Sequence, residues 1–271
     1  MESRSVIFHV HVRKCGGSTF YHQILQRQFG RGFYRDSSLI DDVYGRAEVE
    51  QILANCPWLQ AYSSHKITLD LPFRHPQATV IAIAFVRDPV ERFLSQYFYL
   101  RHHPKAWDPA AQALDLGAYL QHVEQHPELQ GLRQSSQLEH LTGARGQPGL
   151  ERLTSYLEHP HLHLIPVEHF DAACLYFEHA YPALLSDCSY ESATNRSKID
   201  EAPTTEQREQ IERLVDAADH DLFRIAQQRF QGQLDAEGLV GDELENRLVE
   251  FRSRCCERGS RHWWDWLKRK S

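Results

Sequence analysis

A chain of 271 residues with 41% hydrophobic content is long enough to bury one sizeable core. Its formal net charge of −7 argues against a general nucleic-acid binder. Six cysteines in a chain of this length, none in a C-x-x-C pair, argue against a disulfide framework.

In chain order, the first element is an alternating apolar run, Val6, Phe8, Val10 and Val12, which predicts a short strand with period two. The run breaks at Lys14, Cys15, Gly16 and Gly17, and Ser18 and Thr19 then open a helical pattern through Phe20, Ile24 and Leu25. A strand, a glycine turn and a helix N-terminus together cradle phosphate. The turn brings backbone N–H groups to the anion, and the helix end adds partial positive charge. A nucleotide triphosphatase loop places its lysine after the second glycine. Here Lys14 precedes both glycines, so the ordinary ATP-loop reading fails.

Leu59–Tyr62 is a strand-like run that leaves His65 shortly after it. Thr79–Val86, apolar and rich in β-branched residues, predicts one buried strand ending at Arg87. Asp88 then suits an N-cap, Pro89 the first helical position, and Glu91 the position three after the cap. The helix carries Phe93, Tyr97 and Leu100 on one face and projects Ser95. An arginine fork with a hydroxyl is suited to gripping a second phosphate group. Arg13, Lys14, Arg87 and Arg92 cluster by motif, so an acidic protein can still bind a polyanionic nucleotide.

Past residue 101 the pattern is mostly helical. It shows a break over Pro104–Pro109, helical segments over Leu114–Val123 and Leu129–Leu141, and a plain loop over Gly143–Gly149. A long helix runs from a Thr204 or Thr205 cap to Phe230, and a last amphipathic helix spans Leu239–Phe251. Seventeen histidines invite a metal site, and His9 with His11, His122 with His126, and His161 with His163 pair by spacing. None has a third partner in a known ligand pattern, so no metal is expected. Cys174 and Cys188 are a candidate pair for a bridge, with free thiols the preferred reading. The expected role of Trp263, Trp264 and Trp266 is to pack a C-terminal helix onto the domain.

The glycine loop, preceded by His11, resembles the His-x-x-Lys-Thr-Gly-Gly-Thr-Ser element of carbohydrate sulfotransferases (sulfotransferase family 2), which use 3′-phosphoadenosine 5′-phosphosulfate (PAPS). Arg87 through Ser95 is similar to that family's 3′-phosphate element, with the same spacing of eight. The similarity is greatest to the heparan sulfate 2-O-sulfotransferases. It extends to Tyr62-Ser-Ser-His65, which looks like their Tyr-His-Gly-His segment, with Ser63 and Ser64 in place of His and Gly. The resemblance implies an α/β fold, a P-loop-like central parallel sheet flanked by helices with additional C-terminal helices. It implies one domain over 1–271, with a nucleotide-binding core of about 5–230 and a helical extension of about 231–271. It also implies PAPS as donor, held by Lys14, Cys15, Gly16, Gly17, Ser18 and Thr19 at the 5′-phosphosulfate and by Arg87 and Ser95 at the 3′-phosphate. Arg196, Ser197 and Lys198 would belong to a basic loop closing over the nucleotide. Cys15, where relatives carry threonine, would contribute its backbone N–H.

In this reading His65 is the general base and Lys14 the catalytic cation. The acceptor is a hydroxyl, of a carbohydrate by the resemblance, and no metal is required. Two rivals stay open: a nucleotide or small-molecule kinase of related fold, and a non-catalytic nucleotide- or glycan-binding relative. The N-terminal apolar run is too short for a membrane span. Golgi relatives need an anchor, so the expectation is a bacterial-type soluble cytoplasmic enzyme or a trimmed catalytic fragment.

Overall fold

The computed structural model describes residues 4–36, 43–103, 108–126, 136–192 and 201–268, with side chains as far as 259. Five parallel strands form the sheet in the order β2 (Phe33–Asp36), β3 (Ala61–Ser64), β1 (Arg4–Val10), β5 (Ala78–Val86) and β6 (Leu162–Pro166). A two-residue strand, β4 (Arg74–His75), adds antiparallel to the start of β5. β1 pairs with β3 on one side and β5 on the other, with Val10 opposite both Ser64 and Ala84. The carboxyl ends of the central strands are therefore level, and the loops that follow them open on one edge, where open α/β sheets bind ligands.

The period-two pattern of β1 is overridden by its place in the sheet. Val6, Ile7, Phe8, His9 and Val10 are all fully buried, as expected of a central parallel strand covered on both faces. The helices are α1 (α-helical over Gly17–Thr19, π over Phe20–Leu25, α-helical over Gln26–Phe29), α2 (Arg46–Asn55), α3 (Pro89–His102), α4 (Pro109–Ala113) and α5 (Leu116–Gln125). They continue with α6 (Gln137–Thr142), α7 (Gly146–Tyr156), α8 (Phe170–Ala180), α9 (Thr205–Leu214), α10 (Ala217–Ala236) and α11 (Gly241–Lys268).

α3 begins as its sequence predicts, with Asp88 Oδ1 accepting the Glu91 N–H at 3.0 Å. Its Phe93, Tyr97 and Leu100 enter a second apolar cluster with Ala111, Leu116, Tyr119, Leu120, Val123 and Ile211. Each fully buried large side chain there is worth roughly 1.5–3 kcal/mol, enough to hold short helices that would not form alone.

Several boundaries differ from the sequence reading. The Leu114–Val123 segment is one helix that starts at Leu116, capped by Asp115, and the break before it carries a separate short helix over Pro109–Ala113, capped by Asp108. The Gly143–Gly149 loop already turns helical at Gly146. The Thr204–Phe230 helix breaks at Val215, and Asp216 caps a new start by accepting the Ala218 N–H at 2.9 Å. α11 runs well past Phe251. Cys174 and Cys188 are free, buried thiols. Among the described residues no helix is long and apolar enough to cross a membrane.

Candidate active site

The site forms where β1, β3 and β5 end. After β1 the chain turns through Lys14, at φ +65°, and Gly16, at φ +76°, before α1 begins at Gly17. Left-handed residues in such a turn swing successive N–H groups toward one side, making a concave anion nest. Lys14 adopts this conformation despite its Cβ, a cost of the kind found at functional turns. Close packing is a second reason for glycine at position 16 and the reason at position 17. A Cβ on Gly16 would meet Val167 Cγ2 at 2.5 Å, and one on Gly17 would meet His11 Cδ2 at 2.3 Å. His11 cannot step aside, because it is packed between two other rings. Gly17→Ala should therefore lower stability by about 3 kcal/mol, roughly 10 °C in Tm by thermal melt. A wild-type melting temperature would show that the loop has room.

Those rings belong to a run of four histidines. His9 stacks on His11 at 5.1 Å, His11 stacks on His65 at 4.0 Å, and His140 meets His65 edge-on at 6.4 Å. His9 and His11 share a face because they are two apart on β1. His65 follows β3, and His140 arrives from α6. Burial, reinforced by the neighbouring rings, lowers His9 and His140 to about 3 and takes His11 well below its ordinary range. Burial also lowers His65 to about 4, against an opposing hydrogen bond with the His11 carbonyl. That bond, from His65 Nδ1 to His11 O, is 2.5 Å. A carbonyl only accepts, so the proton sits on Nδ1 and Nε2 keeps its lone pair.

Across the loop, Arg87 follows β5 and Ser95 lies half-buried on α3. Lys14 Nζ sits 4.3 Å from the centre of the Tyr99 ring, which ties the loop to the same helix. Burial, with repulsion from Arg87, lowers Lys14 to about 8. The two cations thus share one region, as a site for an anion requires.

The side chain that joins the loops is Gln137, fully buried at the start of α6. Its Oε1 accepts from the Arg87 N–H at 2.8 Å and from Cys15 Sγ at 3.2 Å, and its Nε2 donates to Arg87 O at 2.8 Å. Buried Asp219 in turn accepts from Ser136 Oγ at 2.7 Å and from the N–H groups of Gln137 and Leu138 at 2.9 Å each. The Cys15 thiol is thereby committed to structure, and burial pushes it up to about 12, which removes a nucleophilic role.

Nothing in the sequence assigns a role to Gln137, Asp219 or His140. His11 has a signal, its position three before Lys14. Of the predicted residues, Lys14, Cys15, Gly16, Gly17, Ser18, Thr19, His65, Arg87 and Ser95 all lie on the loops and helix starts of this one edge of the sheet. Arg196, Ser197 and Lys198 lie outside the described residues. No group of three or more His, Cys, Asp or Glu side chains suited to a metal occurs among the described residues.

The sulfotransferase family profile matches residues 1–176, which include both loops and the intervening histidine. The chain belongs to the sulfotransferase family. No curated protein matches it in sequence. Among solved structures, a crystal structure of a sulfotransferase from Alicyclobacillus acidocaldarius is similar at TM-score 0.43 and 15% identity, over 83% of this chain and 96% of that one.

In this sulfotransferase the second loop is further braced by Glu168, just after β6, whose Oε1 accepts from the Asp88 N–H at 3.2 Å. Burial raises the Glu168 carboxyl, while its bonds to backbone N–H groups oppose that rise. Glu91 binds Arg208 at 2.8 Å and lies 3.9 Å from Arg87. Arg87 is therefore oriented on both its backbone and its side chain.

Proposed function

We propose that this sulfotransferase moves the sulfuryl group of PAPS to a hydroxyl of a carbohydrate, with His65 as general base. The observation that carries this reading is the His65 tautomer. With Nδ1 committed to His11 O, Nε2 is left as a neutral acceptor on the ring that stacks on His11. The carbohydrate acceptor and the PAPS donor are supported by the resemblance of the two loops and the His65 segment.

The residues divide the work as sulfuryl transfer demands. As the acceptor oxygen bonds to sulfur and the bond from sulfur to the 5′-phosphate oxygen breaks, His65 Nε2 takes the acceptor proton. Charge gathers on the departing phosphate oxygen. Lys14 and the N–H groups of Cys15 to Thr19 are suited to stabilising it, and their preorganisation makes that contribution large. Arg87 and Ser95 hold the 3′-phosphate and so fix where the sulfur lies. None of these steps needs a metal.

The test does not require the acceptor. A ligand present at 100 times its Kd adds about 2.7 kcal/mol of apparent stability. 3′,5′-bisphosphoadenosine should raise Tm by several degrees with or without EDTA, and more than ATP–magnesium does. In Arg87→Ala, binding of the bisphosphate should weaken by about 2 kcal/mol while adenosine 5′-monophosphate is nearly unaffected, since only the former carries the 3′-phosphate. A larger shift with ATP–magnesium, abolished by EDTA, would replace this reading with a kinase.

A further inference from the structure

We propose that Arg92 is a donor-binding residue whose guanidinium receives the 5′-phosphosulfate at the Lys14–Thr19 loop, a role that rests on the PAPS reading above. Arg92 is 3% exposed, and its Nε is buried with no hydrogen-bond partner. Among the described residues it forms no ion pair. An arginine cannot relieve such a position by losing its proton, as a buried lysine or histidine does. A buried, uncompensated guanidinium is unfavourable, so an anion is what this position lacks.

The protein's own carboxylates nearby are engaged elsewhere. Asp88 Oδ1 caps α3, Glu91 holds Arg208, Glu168 braces the Asp88 N–H, and Asp219 holds the start of α6. Placement then identifies the anion. Arg92, Ser95 and Tyr99 are spaced i, i+3, i+7 and form one stripe on α3. Lys14 lies over the Tyr99 ring, so this stripe faces the glycine loop, while Phe93, Tyr97 and Leu100 face the second apolar cluster. Of the charges that oppose the upward push of burial on the Cys15 thiol, that of Arg92 acts most strongly, ahead of Arg87. Arg92 thus acts on the Cys15 part of the 5′ loop, whereas Arg87 is the arginine that acts on Lys14.

The two arginines make separable predictions by calorimetry. Arg87→Ala discriminates between nucleotides with and without a 3′-phosphate. Arg92→Met should weaken 3′,5′-bisphosphoadenosine and adenosine 5′-monophosphate alike, each by at least tenfold, because both carry the 5′ anion. The unliganded Arg92→Met protein should melt at or above the wild-type temperature, since an unpaired buried charge has been removed. A lower unliganded Tm with unchanged affinities marks Arg92 as a packing residue and overturns the proposal. Should Arg92→Met not fold, Arg92→Lys decides. It keeps the charge and loses the fork, so severalfold weaker binding of both nucleotides supports the role and wild-type affinity rejects it. Wild-type protein that binds neither nucleotide would instead remove the PAPS reading, a distinct result.

Discussion

His65→Ala should lower sulfuryl transfer by ~10²-fold or more while leaving 3′,5′-bisphosphoadenosine binding within a few-fold of wild type. The split follows from the geometry. His65 Nδ1 is tied to a backbone carbonyl and Nε2 is assigned to the acceptor, whereas the nucleotide is assigned to Lys14, Arg87 and their loops. The pH profile is a second readout. A base works in its neutral form, so a histidine of ordinary pKa 6.5 would lose about tenfold in kcat/KM between pH 7.5 and 5.5. While the protein stays folded, His65, lowered to about 4, should lose almost nothing over that range. In the proposed mechanism Lys14 works as the cation, and its lowering to about 8 places an alkaline limb there. Near wild-type turnover in His65→Ala would make the ring structural and assign the proton to another group.

Acid should unfold this protein unusually steeply. His9, His140 and His163 are lowered to about 3, His65 to about 4 and His11 well below its ordinary range, with burial the largest cause in each. In the folded protein these rings stay neutral, whereas in the unfolded chain they take up protons as pH falls through 6.5. Stability is thus fully present above pH 6.5 and is lost on the way down toward the folded values. Each such histidine contributes about 1.4 kcal/mol per pH unit, so four or five acting together give a slope on the order of 5 kcal/mol per unit. Against a total of about 5–15 kcal/mol, that slope exhausts stability within roughly one to three pH units below 6.5. Urea unfolding at pH 7.5, 6.0 and 5.5 should show a collapsing midpoint. An unchanged midpoint at pH 5.5 would mean that the rings are hydrated and titrate normally.

Much of the site was legible because its parts are encoded within a few residues of one another. Val6 to Thr19 carries its own strand, turn and helix start. The chain from Val86 through Glu91 carries a strand end, an N-cap and a first-turn proline, and the cap forms with the expected bond. Helix interruptions were harder to read. Asp216 restarts a helix inside an apolar pattern that continues across the break, so periodicity alone runs the two segments together.

The linear order of residues was sufficient for the chemistry class: a lysine ahead of two glycines, a histidine between two anion loops, and an arginine eight residues before a serine. Those relations are short-range, and backbone preference enforces them wherever the segment lies. Tertiary structure alone decided that Gln137, 50 residues beyond Arg87, would bind that arginine's backbone and the Cys15 thiol together. It also decided that His140 would meet His65, and that Asp219 would hold the helix start carrying Gln137. The sheet order and the packing of α6 and α10 against it make these contacts, and no spacing in the chain encodes them. Burial did the rest, because an imidazole that titrates near 6.5 in water is lowered to about 4 once His65 is packed against His11 and His140.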